Sequence, residues 1–251
     1  MLILGIDTTT LSCSVALLQG DNLFAEMTLN IKKTHSERLM PLLDQLLAES
    51  GIEREQIEAI AAAAGPGSFT GLRIGLATAR ALAQGLAIPA VPVCTLEAIA
   101  EAVPVPGALI CPLLDARRSQ VYCALYQRSA EPPYQLETLL EPDARTLTNL
   151  LETLHLYSQP LIFLGEGLSS YANHIQQNLP GRAVITPPPF RLCRAALVAL
   201  RGQALLKANP QASYLELLPR YLRRPEAERL AEEREKGEGN LEVRSPLEGE
   251  G

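Results

Sequence analysis

The chain has 251 residues, of which 47% are hydrophobic and 20% charged, enough for one large domain or two smaller lobes. Its net charge of −6 argues against a protein that grips nucleic acid alone, because phosphate binding needs a clustered basic face. Five cysteines without a CxxC pair indicate buried free thiols in a reducing compartment. No apolar run reaches the roughly 18 residues of a membrane span, and the N-terminus has the pattern of a strand, so we expect a cytoplasmic protein.

A first lobe is predicted over residues 1–103. Alternating apolar residues joined by short polar links indicate antiparallel strands, and the period then changes to that of amphipathic helices. The strands expected here are Leu2–Asp7, Ser12–Leu18, Leu23–Leu29, Ile57–Ala64 and Ala90–Val93, and the helices are Thr34–Ser50, Phe69–Leu86 and Thr95–Ala102, the last capped by Thr95.

The prolines and glycine of Val103–Gly107 predict a hinge, after which a second lobe over 104–222 repeats the pattern. Its expected strands are Leu109–Leu114, Gln120–Tyr126, Tyr134–Leu140, Leu161–Leu164 and Ala183–Ile185, and its helices are Asp143–Leu154, Leu168–Asn178 and the closing helix Arg191–Ala208. Residues 223–251 are rich in Glu, Arg and Gly and are predicted to be a disordered tail.

The organisation of the chain is therefore a duplicated β-β-β-α-β-α unit. Clear alternation of strands and helices favours an α/β protein. Units of this kind are shared by actin, hexokinase and Hsp70 ATPase domains, so the predicted fold is a duplicated actin-like ATPase (ribonuclease H-like) fold, by analogy at the level of the fold.

The sharpest local feature is the glycine-rich run Ala64–Arg73, between a predicted strand and a predicted helix. Ser68 or Thr70 can cap that helix, and the free N–H groups there could hold an anion. No Lys follows the glycines as in a Walker loop, and the spacing differs from the dinucleotide fingerprint. A tight strand-to-helix turn is the alternative interpretation.

Two predicted helices carry more apolar surface than one core needs, which indicates a partner interface. Small residues spaced four apart in the second helix favour close approach by another helix, since glycine inside a helix costs about 1 kcal/mol relative to alanine. Coverage by the second lobe is the alternative. The candidate interface residues are His35, Leu39, Leu43, Leu46, Gly71, Leu72, Gly75, Leu76 and Ala79.

A weaker candidate is a nucleotide site. Asp7, Thr8 and Thr9 form an acid followed by a hydroxyl-rich turn, and Asp115 has the equivalent place in the second lobe. Gly165–Gly167 falls where a glycine turn could face an adenosine. Structural turns explain each of these equally well. The three histidines, His35, His155 and His174, are too far apart in sequence to suggest a metal site, and no G-x-S-x-G elbow supports a serine hydrolase.

Taken together, these motifs resemble the TsaB family, also called YeaZ, of tRNA threonylcarbamoyladenosine biosynthesis proteins. The resemblance runs from Met1 to about Arg223. It depends most on the run Gly65–Gly75, supported by Ile3–Thr8, His35 with Leu39 and Pro41, Asp115–Arg117 with Val121–Tyr122, and Pro219–Arg223.

That family is similar to the catalytic subunit TsaD, in which two histidines four residues apart follow a short strand and bind a metal. The resemblance places these positions at Thr95 and Ile99, which cannot replace imidazole. It therefore implies a non-catalytic subunit without a metal, which pairs with TsaD through its first two long helices and recruits the ATPase TsaE. The apolar helices also favour a homodimer through the same face when the chain is alone. The acidic net charge favours an indirect role toward tRNA, with another subunit holding the RNA. A free-standing ATPase that binds ATP or ADP, and a glycoprotease-like metallopeptidase, are the alternatives.

Overall fold

A computed structural model of the chain describes residues 1–31 and 34–223. The expected disordered tail lies outside the described residues apart from Arg223. In the first half of the chain the elements are β1 (Leu2–Asp7), β2 (Ser12–Gln19), β3 (Asn22–Asn30), α1 (Leu39–Ser50), β4 (Ala59–Gly65), α2 (Phe69–Leu86), β5 (Ala90–Cys94) and α3 (Thr95–Ala100). In the second half they are β6 (Leu109–Asp115), β7 (Gln120–Arg128), β8 (Leu136–Thr146), α4 (Leu147–Leu154), β9 (Leu161–Leu164), α5 (Leu168–Asn178), β10 (Ala183–Ile185) and α6 (Ala195–Ala208).

The strands form two five-stranded sheets with the same topology. The first has the order β3-β2-β1-β4-β5, with β1, β2 and β3 antiparallel and β1, β4 and β5 parallel. The second has the equivalent order β8-β7-β6-β9-β10 and the same directions. This repeated arrangement is the duplicated actin-like fold that the sequence predicts.

Helices separate and cover the two sheets. Leucines of α1 and small residues of α2 are buried against the outer face of the first sheet. Helices α4 and α5 cover the outer face of the second sheet. Between the sheets, a third apolar cluster joins β4 and β5 to α3, α6 and the inner side chains of β6 and β7, among them Ile110 and Tyr126.

The position of α6 corrects one expectation. We expected Arg191–Ala208 to close the second lobe, but α6 begins at Ala195 and packs on β1, β2, β4 and β5 of the first sheet. Close packing is allowed because small residues meet there: a Cβ at Gly5 would lie 2.2 Å from the carbonyl oxygen of Ala195, and one at Gly202 would lie 2.3 Å from Cβ of Ala61. The chain therefore returns to its first lobe.

Two helix starts and one helix cap also differ from expectation. The segment Thr34–Ser50 has a 3-10 turn at His35–Glu37 before α1 begins. Residues 143–146 continue β8, and α4 begins at Leu147, where Thr146 Oγ1 accepts from the Asn149 amide at 3.3 Å. Thr95 is the first residue of α3, and its Oγ1 has no hydrogen-bond partner among the described residues. Capping chemistry and sheet pairing thus outweigh apolar periodicity at helix ends.

The connection between the lobes is held by a buried arginine. Arg128 on β7 forms a 3.0 Å ion pair with Glu101 and donates to the carbonyl oxygen of Val103 at 3.2 Å. It also donates to the carbonyl oxygen of Tyr134 at 2.8 Å. The predicted hinge Val103–Gly107 is therefore tied to the second sheet by side-chain contacts.

Candidate functional site

The turn after β1 lies against the glycine-rich run. Ser68 donates its backbone N–H to the carbonyl oxygen of Thr9 at 2.7 Å, and its hydroxyl caps α2 by accepting from the amide of Gly71 at 3.3 Å. Thr8 Oγ1 donates to the carbonyl oxygen of Gly71 at 2.7 Å. The glycine-rich run is therefore the strand-to-helix turn of the alternative interpretation, and its partner is the turn after β1.

Glycines make this contact sterically feasible. A Cβ at Gly71 would lie 2.0 Å from the carbonyl oxygen of Thr8, and one at Gly75 would lie 2.3 Å from Thr8 Oγ1. We assigned Gly71 and Gly75 to close approach by another helix. They are explained instead by the close approach of α2 to the end of β1.

The candidate interface residues are mostly part of the protein's own core. Leu39, Leu43, Leu46, Leu72, Leu76 and Ala79 are each at most 3% exposed, Gly71 and Gly75 are buried, and His35 is half-buried. Nε2 of His35 donates to the carbonyl oxygen of Thr10 at 2.9 Å. These buried side chains cannot be the surface that α1 and α2 offer to a partner, because the first sheet already covers them.

The exposed residues of α1 and α2 differ from the predicted interface residues. On α1 they include Met40, which is 42% exposed. On α2 they include Ala77, Ala81 and Gly85, again four residues apart. Apolar periodicity alone could not separate this outer row from the buried one, since small residues recur on both sides of α2.

The proposed nucleotide residues of the first lobe are buried and engaged internally. Asp7, Thr8 and Thr9 are at most 1% exposed. Oδ1 of Asp7 accepts from the amide of Thr9 at 3.1 Å and from its hydroxyl at 2.6 Å. The amide of Leu11 donates to Oε2 of Glu166 on the second lobe at 3.3 Å. Because these groups are already bonded within the chain, the turn in this arrangement does not fit a phosphate group.

Asp7 is an unusually weak acid because it is buried. Burial raises the pKa of Asp7 to about 7; the hydrogen bonds from Thr9 lower it only in part, and the charge of Glu166 adds to the rise. Burial also raises the pKa of Glu166, the Leu11 amide opposes this, and the charge of Asp115 raises it further. Oδ2 of Asp7 is buried with no hydrogen-bond partner among the described residues. A partly protonated Asp7 is a poor ligand for a nucleotide-bound cation.

Asp115 is the last residue of β6, directly before the turn to β7, and it is exposed. Its Oδ1 accepts from the amide of Arg117 at 2.7 Å. Arg117, Arg118 and Ser119 all have left-handed backbones, with φ of 60°, 53° and 58°. Glu166 is thus close enough to both acids for their charges to interact, but of Asp7 and Asp115 only Asp115 is exposed.

The two positions that the family resemblance assigns to metal ligands of the catalytic relative lie in the core. Thr95 and Ile99 are both fully buried, and Ile99 belongs to the same apolar cluster as Tyr126. Within the described part of the chain, no three His, Cys, Asp or Glu side chains are grouped to hold a metal ion. The residues present therefore do not fit the relative's metal.

Cavities and cysteines lie elsewhere. A hollow of about 410 Å³ lies beside Leu47–Glu55, and one of about 190 Å³ lies between Glu101 and Leu197. The five cysteines are free, and all except the half-buried Cys94 are buried, as expected. No helix among residues 1–31 and 34–223 is both long and apolar enough to span a membrane.

Comparisons with known proteins agree with this architecture. The family described as "TsaD: tRNA N6-adenosine threonylcarbamoyltransferase" matches residues 22–231. The tRNA threonylcarbamoyladenosine biosynthesis protein TsaB of Bacillus subtilis is 36% identical over 91% of this chain and 96% of its own length. The protein of the same description from Haemophilus influenzae is 29% identical over 88% of this chain and 93% of its own.

A solved structure from Pseudomonas aeruginosa, described as an uncharacterized protein with similarity to peptidase YEAZ, superimposes with a TM-score of 0.73 at 28% identity. The superposition covers 88% of this chain and 99% of that one. The glycine-rich run packed on the turn after β1, the doubled sheet topology and the sequence matches lead to one assignment: the chain belongs to the TsaB (YeaZ) family of tRNA threonylcarbamoyladenosine biosynthesis proteins, within the wider TsaD family.

Proposed function

We propose that the chain is a non-catalytic subunit that binds and activates a TsaD-type catalytic subunit during threonylcarbamoyl transfer to adenosine in tRNA. The observation that carries this proposal is the full burial of Thr95 and Ile99, at the positions where the catalytic relative would need metal-binding histidines. The names of the relatives supply the pathway. A role in tRNA modification implies the cytoplasm.

The exposed row on α2 supports partner binding. A Cβ at Gly85 would meet no other atom within 4 Å, so nothing within the chain requires a glycine there. Gly85 is the next-to-last residue of α2, where a glycine costs up to about 1 kcal/mol relative to alanine. Together with Ala77 and Ala81, Gly85 gives a flat strip of backbone that another helix can approach closely. On α1, the exposed Met40 offers a flexible apolar side chain.

This surface replaces the buried leucines as the proposed partner face. It suits helix-to-helix packing with a related fold, and a second copy of the same chain would use it when the catalytic subunit is absent. Recruitment of a TsaE-type ATPase, as the family resemblance implies, would then follow assembly. A resident nucleotide or metal is not part of this proposal.

The test is binding of the full chain to the TsaD-type subunit of the same organism. Ala81→Arg should weaken the complex at least tenfold, because a long charged side chain would separate two packed helices. Ala204→Arg is the matched control, since Ala204 is an exposed alanine on α6, away from this face. Equal affinity of both variants and the unchanged protein would overturn the proposed face, and failure of the unchanged protein to bind would overturn the partnership.

A further inference from the structure

We infer that an arginine surface beside the glycine-rich run binds the phosphate backbone of RNA directly. The surface consists of Arg73, Arg117, Arg220 and Arg223 together with Phe69 and Tyr221. The inference rests on the proposed function for the identity of the RNA as tRNA. It revises the expectation from the net charge of −6, since charge can be concentrated locally on a protein that is acidic overall.

The returning C-terminal segment builds this surface. After α6 the chain crosses back to the first lobe, where the amide of Arg220 donates to the carbonyl oxygen of Ala64 at 2.7 Å. Gly65 makes the approach feasible: its φ is +112°, and a Cβ there would lie 2.6 Å from the carbonyl oxygen of Arg220. The glycine-rich run thus fixes the backbone that carries Arg220, Tyr221 and Arg223.

An aromatic pair forms the centre of the surface. The rings of Phe69 and Tyr221 stack with their centroids 5.1 Å apart. Arg73 lies over the Phe69 ring, 3.9 Å from its centroid, and its Nε donates to the Tyr221 hydroxyl at 3.0 Å. Both rings remain 36% exposed. Unpaired bases of RNA stack on exposed aromatic rings and on guanidinium groups of this kind.

Arg223 extends the surface to the second lobe. Its Nη1 donates to the carbonyl oxygen of Ala116, and it lies 3.5 Å from that of Arg117. It is also close to Tyr122: burial raises the pKa of that phenol, and the charge of Arg223 opposes the rise. The left-handed backbone at Arg117 keeps this arginine in an exposed turn next to Arg223. The surface therefore extends from α2 of the first lobe to the turn between β6 and β7 of the second.

The charges of these arginines are not neutralised within the described part of the chain. There, no carboxylate forms an ion pair with Arg73, Arg117, Arg220 or Arg223, although Asp115 accepts from the backbone of Arg117. By contrast, Arg128, Arg194 and Arg201 each pair with a glutamate. Surface arginines without acidic partners beside exposed rings favour a polyanion with stackable bases over an acidic protein segment.

The test compares two double variants with equal loss of charge. Arg117→Gln with Arg220→Gln removes half of the arginines of the surface, and Arg54→Gln with Lys207→Gln removes two exposed charges elsewhere. Binding of a tRNA transcript is measured against salt concentration, for the full chain alone and for its complex with the catalytic subunit. Formation of that complex is measured separately.

The surface variant should bind the transcript at least tenfold more weakly, and the slope of log affinity against log salt should fall by roughly 1.5, as expected for two lost phosphate contacts. The control variant should match the unchanged protein in both. Equal effects of the two variants, or no binding by the unchanged protein in either form, would overturn the inference. A surface variant that loses the partner but keeps its RNA affinity would assign the surface to a protein. Failure of the unchanged protein to form the complex would count against the proposed function alone.

Discussion

The backbone amide of Leu11 in the first lobe donates a hydrogen bond to Oε2 of Glu166 in the second lobe, at 3.3 Å. Glu166 follows β9 in a glycine turn, and Gly165 there has φ of +101° with no room for a Cβ beside the carbonyl of Leu113. A carboxylate of the second lobe thus occupies an amide of the turn after β1. This hydrogen bond is one of those that link the lobes, and it closes the first-lobe turn.

Glu166→Ala should loosen that link. We expect faster hydrogen exchange at Leu11 and its neighbours, with a loss of roughly 1 kcal/mol or less in the free energy of unfolding, because the bond lies near solvent. Glu152→Ala on the exposed side of α4 is the control and should leave exchange near Leu11 unchanged. Unaltered exchange in Glu166→Ala would show that this bond does not hold the turn.

Asp7 should make stability depend on pH. Its pKa is about 7 in the folded protein and near the ordinary 3.8 when unfolded, so the folded state binds more protons between these values. Stability contributed by the protonated carboxyl is complete below pH 3.8 and is lost as pH rises to about 7. The expected slope is about 1 kcal/mol per pH unit in that range.

Asp7→Asn should remove this slope, because the amide does not ionise and its oxygen can still accept from Thr9. The measurement is chemical denaturation of both proteins at pH 5, 6, 7 and 8. Above pH 7 the free energy of unfolding of the variant should rise relative to that of the unchanged protein. Parallel stability curves for the two proteins would contradict a neutral Asp7.

Two glycines of α2 should respond in opposite directions to alanine. Gly75→Ala places a Cβ against Thr8 Oγ1 and should destabilise the fold by about 1–3 kcal/mol, as overpacking does. Gly85→Ala meets open space and should stabilise it through helix propensity by at most about 1 kcal/mol, because Gly85 lies in the last turn of α2. Thermal unfolding of both variants checks this, and a loss of stability in each would show that Gly85 is packed within the chain.

Glu26 should anchor α6 to the first lobe. Its Oε1 accepts from the amide of Ala196 at 3.0 Å, and its Oε2 pairs with Arg194. Ser14 Oγ accepts from the adjacent amide of Ala195 at 2.9 Å. Glu26→Ala leaves the amide of Ala196 without its acceptor and should cost about 1–2 kcal/mol, as loss of a helix cap does. Glu49→Ala, exposed on α1, should change the unfolding free energy by less than 0.5 kcal/mol.

The sequence by itself determined the element order, the doubled topology and the family. The period-2 pattern of strands and the period-3.6 pattern of helices are local, so they can be recognised in the sequence without knowledge of the fold. The run Gly65–Gly75 is specific enough to identify relatives. The assignment of Thr95 and Ile99 to the positions of metal-binding histidines depends on the family resemblance, and it stays a prediction.

Only the tertiary structure decided which face of each element meets which neighbour. Gly71 and Gly75 contact Thr8 rather than a partner, and α6 crosses to the first sheet, because contacts between residues far apart in the chain select among equally apolar faces. The arginine surface arises in the same way. Arg73, Arg117 and Arg220 are distant in sequence, so the net charge of −6 gives no sign that they form one basic surface. They come together only because the C-terminal segment folds back over Gly65.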